Sequence, residues 1–242
     1  MIALSKQDMQ ELDERMIHQY KVSLESMMKK GGKTLAVLVR NLYPDAHKIL
    51  VLAGTGNSSA GGLFAARLLA EQGYTVRVVL SRFEMFLKDT PKLFLRELPA
   101  TIMIIYAEEV SDEELRTYGS EADLVIDALM GYNVEGAPEG EVKRLIKCAN
   151  ESGKSVISFD LPSGLDPNEG AVYEPIVGAS ATLTLGMPKK GLFDDYSSPY
   201  VGTLYVADIG IPDVWYKEEN IDPIQYDERG YLEVPESHSE YV

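Results

Sequence analysis

From residue 48 onward, short apolar runs alternate with stretches of helical spacing, and this alternation constrains the fold more than any other feature of the chain. Short β-branched runs separated by helices are typical of parallel strands that are buried on both faces. The pattern predicts strands at 49–53, 76–80, 102–106, 124–129, 156–160, 181–185 and 204–206. It predicts helices at 63–72, 91–98 and 139–152. We therefore expect an α/β protein with a doubly wound, mainly parallel sheet and helices on both faces.

Two helices are predicted before the sheet begins. Ser5 to Asp8 resembles a capping box, and apolar residues at helical spacing follow it as far as Tyr20. A second helical pattern covers 24–42 and is interrupted by Gly31 and Gly32, where helix propensity falls. We expect these helices to pack on the sheet or on a second copy of the chain.

The periodicity fades after Ile211 and Pro212, and residues 217–242 are polar and acidic. We expect a single α/β domain over 1–216, which includes the two N-terminal helices. The acidic tail over 217–242 is expected to drape over the surface or to be partly disordered.

Composition excludes several classes of function. The 38 acidic and 23 basic residues give a net charge of −15, which repels nucleic acid. Cys148 is the one cysteine, so neither an internal disulfide nor a multi-cysteine metal site can form. The N-terminus does not resemble a secretion signal and no segment has the length of a membrane span, so we expect a cytoplasmic protein without a membrane partner.

Residues 48–62 contain an apolar strand, a glycine-rich turn and the start of a helix. Glycine lets the backbone approach a ligand closely, and the first turn of a helix presents free N–H groups to an anion. The segment favours phosphate binding, although a tight strand-to-helix turn without a ligand would have the same pattern. It also departs from the usual dinucleotide fingerprint, because Ser59 stands at the sixth position from Gly54.

Acidic residues close two of the predicted strands. Asp127 ends one strand and Asp160 ends the next, and a Pro-Ser-Gly turn that contains Ser163 follows Asp160. Because the carboxyl ends of parallel strands meet at one edge, both carboxyl groups are expected near the phosphate site. They would repel an anion and each other unless a cation intervened, and carboxylate and hydroxyl oxygens suit a hard cation. Each acid could instead cap a helix or form a turn.

Five sequence blocks together resemble the NAD(P)H-hydrate epimerase family, also called the YjeF N-terminal domain. The resemblance covers roughly residues 5–215. The blocks are Leu-Ala-Gly-Thr-Gly-Asn at 52–57, Val-Ile-Asp-Ala-Leu-Met-Gly at 125–131, Asp-Leu-Pro-Ser-Gly-Leu-Asp at 160–166, Gly-Met-Pro-Lys-Lys-Gly-Leu at 186–192 and Val-Ala-Asp-Ile-Gly-Ile-Pro at 206–212.

The resemblance implies a Rossmann-like sheet that interconverts the R and S forms of hydrated NADH or NADPH, called NAD(P)HX. It further implies a potassium ion, a homodimer and a functional link to a separate NAD(P)HX dehydratase. We expect dimerisation through the first two helices.

Carried over by position, the resemblance also assigns roles to single residues. Potassium would be held by Ser58, Asp127 and Ser163. Substrate contacts would come from Asn57, Ser58, Ser59, Ala60, Gly61, Gly131, Tyr132, Asn133, Val134, Glu135, Gly136, Ala137 and Asp160. Lys189 is expected to add a positive contact, or else to be an exposed or cap-pairing lysine.

The glycine-rich loop departs from the family pattern. The family commonly has Asn-Asn-Gly-Gly-Asp-Gly where residues 57–62 read Asn-Ser-Ser-Ala-Gly-Gly, so an amide becomes a hydroxyl and an acid is missing at Gly61. In the second helix, Met-Glu-Asn-Ala-Gly is replaced by Met-Lys-Lys-Gly-Gly at 28–32.

The leading hypothesis is epimerisation at the hydroxyl-bearing ring carbon, with Asp160 as the acid–base group. The alternative is a non-catalytic member of the same family that binds a nucleotide or a protein. An ordinary NAD(P)-dependent oxidoreductase is disfavoured, because Ser81-Arg82 stands where the ribose-binding acid usually lies. A serine hydrolase is also disfavoured, because residues 56–60 lack the second glycine of a nucleophile elbow.

Overall fold

The computed structural model describes residues 2–133 and 136–235. Two helices come first, α1 (Lys6–His18) and α2 (Leu24–Leu42). Both begin at a serine whose hydroxyl accepts from a backbone N–H of the first turn, and Ser5 with Asp8 completes the predicted capping box.

Strands and helices then alternate as the apolar pattern predicts. The elements are β1 (Lys48–Ala53), α3 (Asn57–Glu71), β2 (Thr75–Leu80), α4 (Asp89–Arg96), β3 (Met103–Tyr106), α5 (Asp112–Glu121), β4 (Leu124–Ala128), α6 (Gly140–Glu151), β5 (Ser155–Phe159), β6 (Ala181–Leu185), α7 (Ser198–Val201), β7 (Thr203–Ala207), α8 (Asp213–Glu218) and β8 (Tyr231–Glu233).

Within the described ranges, the eight strands form one sheet in the order β3-β2-β1-β4-β5-β6-β7-β8. All pairings from β3 to β7 are parallel, and β8 pairs antiparallel with β7. The expected α/β sheet is confirmed. The strand order reverses between β1 and β4, and ligands of such sheets usually bind outside the carboxyl ends of the strands at this point.

The residues of β1 show why the sheet needs two helical layers. Ile49, Val51 and Ala53 belong to the core that also contains buried residues of α1 to α4. Leu50 and Leu52 point to the opposite core, which contains buried residues of α5 and α6. Apolar side chains on both faces of a strand must be covered from both sides, and this requirement explains the continuous apolar runs in the sequence.

The end of the described chain differs from the predicted tail. Residues 231–233 form β8, and Tyr231 is 1% exposed with its ring edge-on to Tyr205 of β7. Trp215 of α8 is also buried. The sheet therefore continues through residue 233, within the segment predicted as a tail. Residues 236–242 of the predicted tail lie outside the described residues.

Helix α5 is an element that the periodicity analysis missed. It begins with a capping box in which Ser111 and Glu114 each accept from the other's backbone N–H.

None of the helices in residues 2–133 and 136–235 combines the length and the apolar character that a bilayer crossing requires.

Candidate active site

A cavity of about 310 Å³ lies at the carboxyl ends of the central strands. Its walls come from the segments after β1, β4, β5 and β6, together with α1 and α2. This volume lies at the lower end of the range for small-molecule sites. The glycine-rich turn after β1 and the segments that follow β4 and β5 therefore lie around one cavity.

The first wall is the N-terminus of α3. Gly56 caps this helix without any side-chain hydrogen bond to the first turn, and Thr55, Asn57 and Ser58 line the cavity. A first turn without a capping side chain leaves N–H groups and the positive end of the helix dipole for an anion. Lys88 lines the same cavity and adds a positive charge.

The close approach of this turn to β4 depends on Gly54. A Cβ atom at this position would lie 1.9 Å from the carbonyl oxygen of Leu129, so no other residue fits without moving the backbone. The glycine thereby brings the N-terminus of α3 next to the loop that follows β4.

Asp160 and Lys189 form a buried ion pair in the second wall. The Lys189 Nζ donates to Asp160 Oδ1 at 2.6 Å, and the two side chains are 0% and 3% exposed. Nζ also donates to the Thr184 hydroxyl and to the Leu185 carbonyl, each at 3.1 Å. All three protons of the ammonium group are therefore used, and the pair satisfies the condition under which buried charges persist.

The backbone of Asp160 is unusual for a residue with a side chain. Its φ angle is 79°, in the left-handed region, where such residues are uncommon. The second carboxylate oxygen, Oδ2, accepts the backbone N–H of Tyr132 at 3.0 Å. A conformation that costs roughly 1–3 kcal/mol and is fixed by two partners is typical of a functional position.

Asp127 is fully buried and lies behind the cavity wall rather than in it. Its two oxygens accept the Ser163 hydroxyl at 2.6 Å, the Ser163 N–H at 2.9 Å, the Ser158 hydroxyl at 2.8 Å and the Leu129 N–H at 3.2 Å. Burial raises the pKa of this carboxyl above its usual range, while these hydrogen bonds oppose the shift. The group fixes the turn after β5 against the end of β4.

The potassium ligands expected from the sequence are oxygen atoms only, and this donor set fits a hard monovalent cation. Among the described residues, no group of three or more His, Cys, Asp and Glu side chains could hold a metal. Both oxygens of Asp127 already accept two hydrogen bonds each. The Ser163 hydroxyl donates to Asp127 and accepts the Met130 N–H, which leaves one oxygen lone pair for a cation. Ser58 lines the cavity.

The other residues assigned from the sequence divide into two groups. Asn57, Ser58, Gly131, Tyr132, Asn133, Ala137, Asp160 and Lys189 line the cavity. Ser59, Ala60, Gly61, Gly136, Asp127 and Ser163 are not part of its lining. Val134 and Glu135 lie outside the described residues.

Helix geometry explains why residues 59–61 are turned away from the cavity. The helix α3 begins at Asn57, six residues before its predicted start, so these three residues lie in its first two turns and are buried. The Ser59 hydroxyl donates to the Gly56 carbonyl at 2.6 Å. A Cβ atom at Gly61 would lie 2.3 Å from two ring atoms of Phe159, and one at Gly32 would lie 2.5 Å from the Gly61 carbonyl.

The same packing accounts for the departures from the family pattern at positions 31 and 61. A Cβ atom at Gly31 would lie 3.1 Å from the Phe159 ring. The ring thus fills the space next to both Gly31 and Gly61, where the family commonly carries a side chain. An aspartate at position 61 has no room beside Phe159.

Sequence reasoning missed the contribution of α1. Met9 and Asp13 line the cavity, and Asp13 Oδ2 accepts the Tyr132 hydroxyl at 2.5 Å. Asp13 lies four residues after the buried Met9, so the helical period places both on the inward face. Met27 and Met28 of α2 complete an apolar, adaptable side of the cavity.

In an ordinary NAD(P)-dependent oxidoreductase, Arg82 would be placed to bind a ribose 2′-phosphate, and the geometry does not support that role. Arg82 forms an ion pair with Glu108 and lies over the ring of Phe86. It is not part of the cavity lining, so it does not lie where a ribose phosphate in this cavity could reach it.

Comparison with known proteins agrees with this geometry. Residues 24–191 match the family described as YjeF-related protein N-terminus. A protein of Dehalogenimonas lykanthroporepellens named NAD(P)H-hydrate epimerase is 36% identical over 212 residues, which are 86% of this chain and 82% of that protein. The chain belongs to the YjeF-related family.

Other YjeF-related proteins extend the comparison. A Lentilactobacillus buchneri protein named NAD(P)H-hydrate epimerase is 30% identical, with 86% of this chain and 94% of that protein aligned. A Thermofilum pendens protein named bifunctional NAD(P)H-hydrate repair enzyme Nnr is 32% identical over 88% of this chain and 42% of its own length. The crystal structure of yeast ynu0 superposes with a TM-score of 0.80 at 22% identity, covering 97% and 100% of the two chains, and supports the same fold.

Proposed function

We propose that this protein is an NAD(P)H-hydrate epimerase, which interconverts the R and S forms of hydrated NADH or NADPH. The observation that carries the proposal is the Asp160–Lys189 pair, buried in the wall of a cavity that also contains an open helix N-terminus. The names of the relatives that align over more than four fifths of their own length support the same activity.

The proposed chemistry takes place at the ring carbon that carries the hydroxyl group. Loss of hydroxide leaves a cation that the adjacent ring nitrogen stabilises, and return of water to the opposite face gives the other epimer. Asp160 is suited to give or take a proton at the oxygen bound to this carbon, because Lys189 and the Tyr132 N–H fix its carboxylate in one orientation. Four methionines, Met9, Met27, Met28 and Met130, give the cavity apolar lining besides these polar groups.

The anionic part of the substrate is assigned to the side of the cavity that the first turn of α3 and Lys88 form. The free N–H groups of this turn and the Lys88 ammonium supply positive potential in a protein of net charge −15. Bound potassium would add positive charge near the carboxylates, and Ser58, Asp127 and Ser163 would hold it. The proposal also includes a homodimer. It further includes a separate dehydratase that uses the epimerised product, and the names of longer, bifunctional relatives support this link.

A chromatographic assay that resolves the two NAD(P)HX epimers tests the activity. We expect the protein to restore the equilibrium mixture from a purified epimer much faster than buffer does. Asp160→Asn should reduce this rate by roughly 10²–10⁴-fold, the range for loss of a general acid or base. Asp112→Asn, which removes an acid from the exposed start of α5, is the matched control and should behave as the unmodified protein.

Two results would count against this function. Equal rates with protein and with buffer would remove the epimerase, and an increase in melting temperature with NAD(P)H derivatives would then favour the non-catalytic nucleotide-binding alternative. Equal rates for the Asp160 and Asp112 variants would leave the activity but remove Asp160 from its role.

A further inference from the structure

Asp13 is a carboxyl group of the cavity besides Asp160, and it lies outside the segment that matches the family. It lies on α1, before residue 24, where the match to the YjeF-related family begins. Its side chain lines the cavity and accepts the Tyr132 hydroxyl at 2.5 Å. Asp13 and Asp160 therefore bring largely buried carboxyl groups from distant parts of the chain to one cavity, and the exposed Glu139 before α6 also lines it.

Tyr132 connects the two carboxyl groups. Its hydroxyl donates to Asp13 and its backbone N–H donates to Asp160, so this one residue holds both acids at the cavity. In glycoside hydrolases that invert configuration, two carboxyl groups at about 6.5–9.5 Å leave room for a sugar carbon and a water molecule between them. Inversion at a hydroxyl-bearing carbon makes the same geometric demand.

The two acids have different surroundings. Asp160 is paired with the ammonium group of Lys189, whereas the hydrogen-bonding partner of Asp13 is a neutral phenol. Burial raises the pKa of Asp13, the Tyr132 hydrogen bond and the charge of Lys189 lower it, and the charge of Asp160 raises it. Two carboxyl groups whose surroundings differ in this way are suited to opposite roles, one as the acid and one as the base.

We propose that Asp13 is the second acid–base group of the epimerase, acting on the face of the substrate ring opposite to Asp160. This inference rests on the proposed function. In one direction, the bond between the ring carbon and the hydroxyl oxygen breaks, the electron pair leaves with the oxygen, and the Asp13 proton converts it to water.

The remaining steps balance atoms and charge. The lone pair of the ring nitrogen forms a double bond to the carbon, and a water oxygen then attacks the opposite face while its proton passes to the Asp160 carboxylate. The product is the other epimer, one oxygen atom has been exchanged with solvent, and one proton has moved from Asp13 to Asp160. In the reverse direction the two acids exchange roles.

The test compares two variants that separate proton transfer from structural support. Asp13→Asn keeps the shape and a carbonyl oxygen that still accepts the Tyr132 hydroxyl, but it has no carboxyl proton to give. Tyr132→Phe removes that hydrogen bond and leaves the carboxyl group in place. If Asp13 transfers a proton, kcat should fall by roughly 10²–10⁴-fold in Asp13→Asn with little change in KM, and by less than about tenfold in Tyr132→Phe.

Which of the two variants has the lower kcat decides whether Asp13 transfers a proton or only supports the structure. A purely structural Asp13, holding α1 to Tyr132, would give the reverse order, because only Tyr132→Phe breaks the contact. Epimerisation in ¹⁸O-labelled water should place the label in the product hydroxyl at the rate of epimerisation, and unlabelled product would overturn the proposed steps. Absence of any acceleration by the unmodified protein would remove the function itself, whereas acceleration that Asp13→Asn retains within about threefold would remove only this inference.

The pH profile gives a readout that does not depend on folding of the Asn variant. The groups that face Asp13 are Tyr132 after β4, Asp160 after β5 and Lys189 after β6. Glu14, which lies next to Asp13 on α1, raises the pKa of Tyr132 through its negative charge. If protonated Asp13 starts the reaction, kcat falls as the pH rises through its pKa. Because the Tyr132 hydrogen bond lowers that pKa, Tyr132→Phe should move the fall to higher pH, and an unmoved profile would overturn the proposal.

Discussion

Replacement of Gly61 by alanine tests the packing that separates this chain from its family pattern. The new Cβ atom would lie 2.3 Å from both Cε1 and Cζ of Phe159, so the ring must retreat by about 1 Å to restore an ordinary contact. Phe159 is 0% exposed, and a close-packed core offers no free space for that movement.

The expected magnitude is the difference between two effects. Overpacking of a well-packed core typically costs about 1–3 kcal/mol. Alanine within a helix gains about 0.5–1 kcal/mol over glycine. We therefore expect Gly61→Ala to lower the free energy of unfolding, by an amount set by how far the Phe159 ring can yield.

The informative comparison repeats the substitution in a Phe159→Leu background. Leucine does not have the two ring atoms that meet the new Cβ atom, so the helix-propensity gain of about 0.5–1 kcal/mol should remain and the substitution should become stabilising. Urea unfolding followed through Trp215, the single tryptophan and a buried one, gives both differences. A loss of the same size in both backgrounds would refute the packing argument, because neighbours in contact must show coupling.

Three further predictions use other parts of the molecule. Lys189→Met should lower the free energy of unfolding in urea by about 3–5 kcal/mol, because it leaves the buried Asp160 carboxylate without its cation. Adding Asp160→Asn to this variant should recover most of the loss. Because the pKa of Asp13 is raised above its ordinary 3.8 in the folded protein, the stability due to this group is present below that value and lost as the pH rises through the folded pKa. Asp13→Asn should therefore gain stability relative to the unmodified protein as the pH rises above 3.8, and a difference independent of pH would contradict the burial of this carboxyl. Removal of residues 227–242 should lower the melting temperature, because it exposes the β7 edge and removes the buried Tyr231, whereas an unchanged temperature would show that β8 adds nothing to the sheet.

The sheet was predictable because its strands are buried on both faces. A run such as Ile49 to Ala53 cannot satisfy two hydrophobic layers without being apolar throughout, so the sequence marks it clearly. The three-residue β8 has no such mark, since it lies at the edge in a polar segment. The helix α5 is largely polar, and its signal was the capping box at Ser111 and Glu114 rather than a periodic apolar face.

The site was predictable where it depends on strand ends and less so where it depends on packing between distant elements. Parallel topology alone brings Asn57, Tyr132, Asp160 and Lys189 to one edge, and all four line the cavity. The inward direction of Gly61 depends on the start of α3 and on the bulk of Phe159, which no local pattern specifies. Asp13 enters the cavity through the tertiary placement of α1, which spacing along the chain does not determine.

The position of α1 has a consequence for synthesis of the chain. Met9 and Asp13 line the cavity together with Leu185, Lys189 and Ile209, which lie more than 170 residues later in the chain. The backbone of Leu4 even pairs with the segment at Pro188 and Lys190, donating to the first and accepting from the second. A nascent polypeptide on the ribosome therefore cannot bind a ligand at this cavity until its last strands have emerged, and its first helix must wait for them.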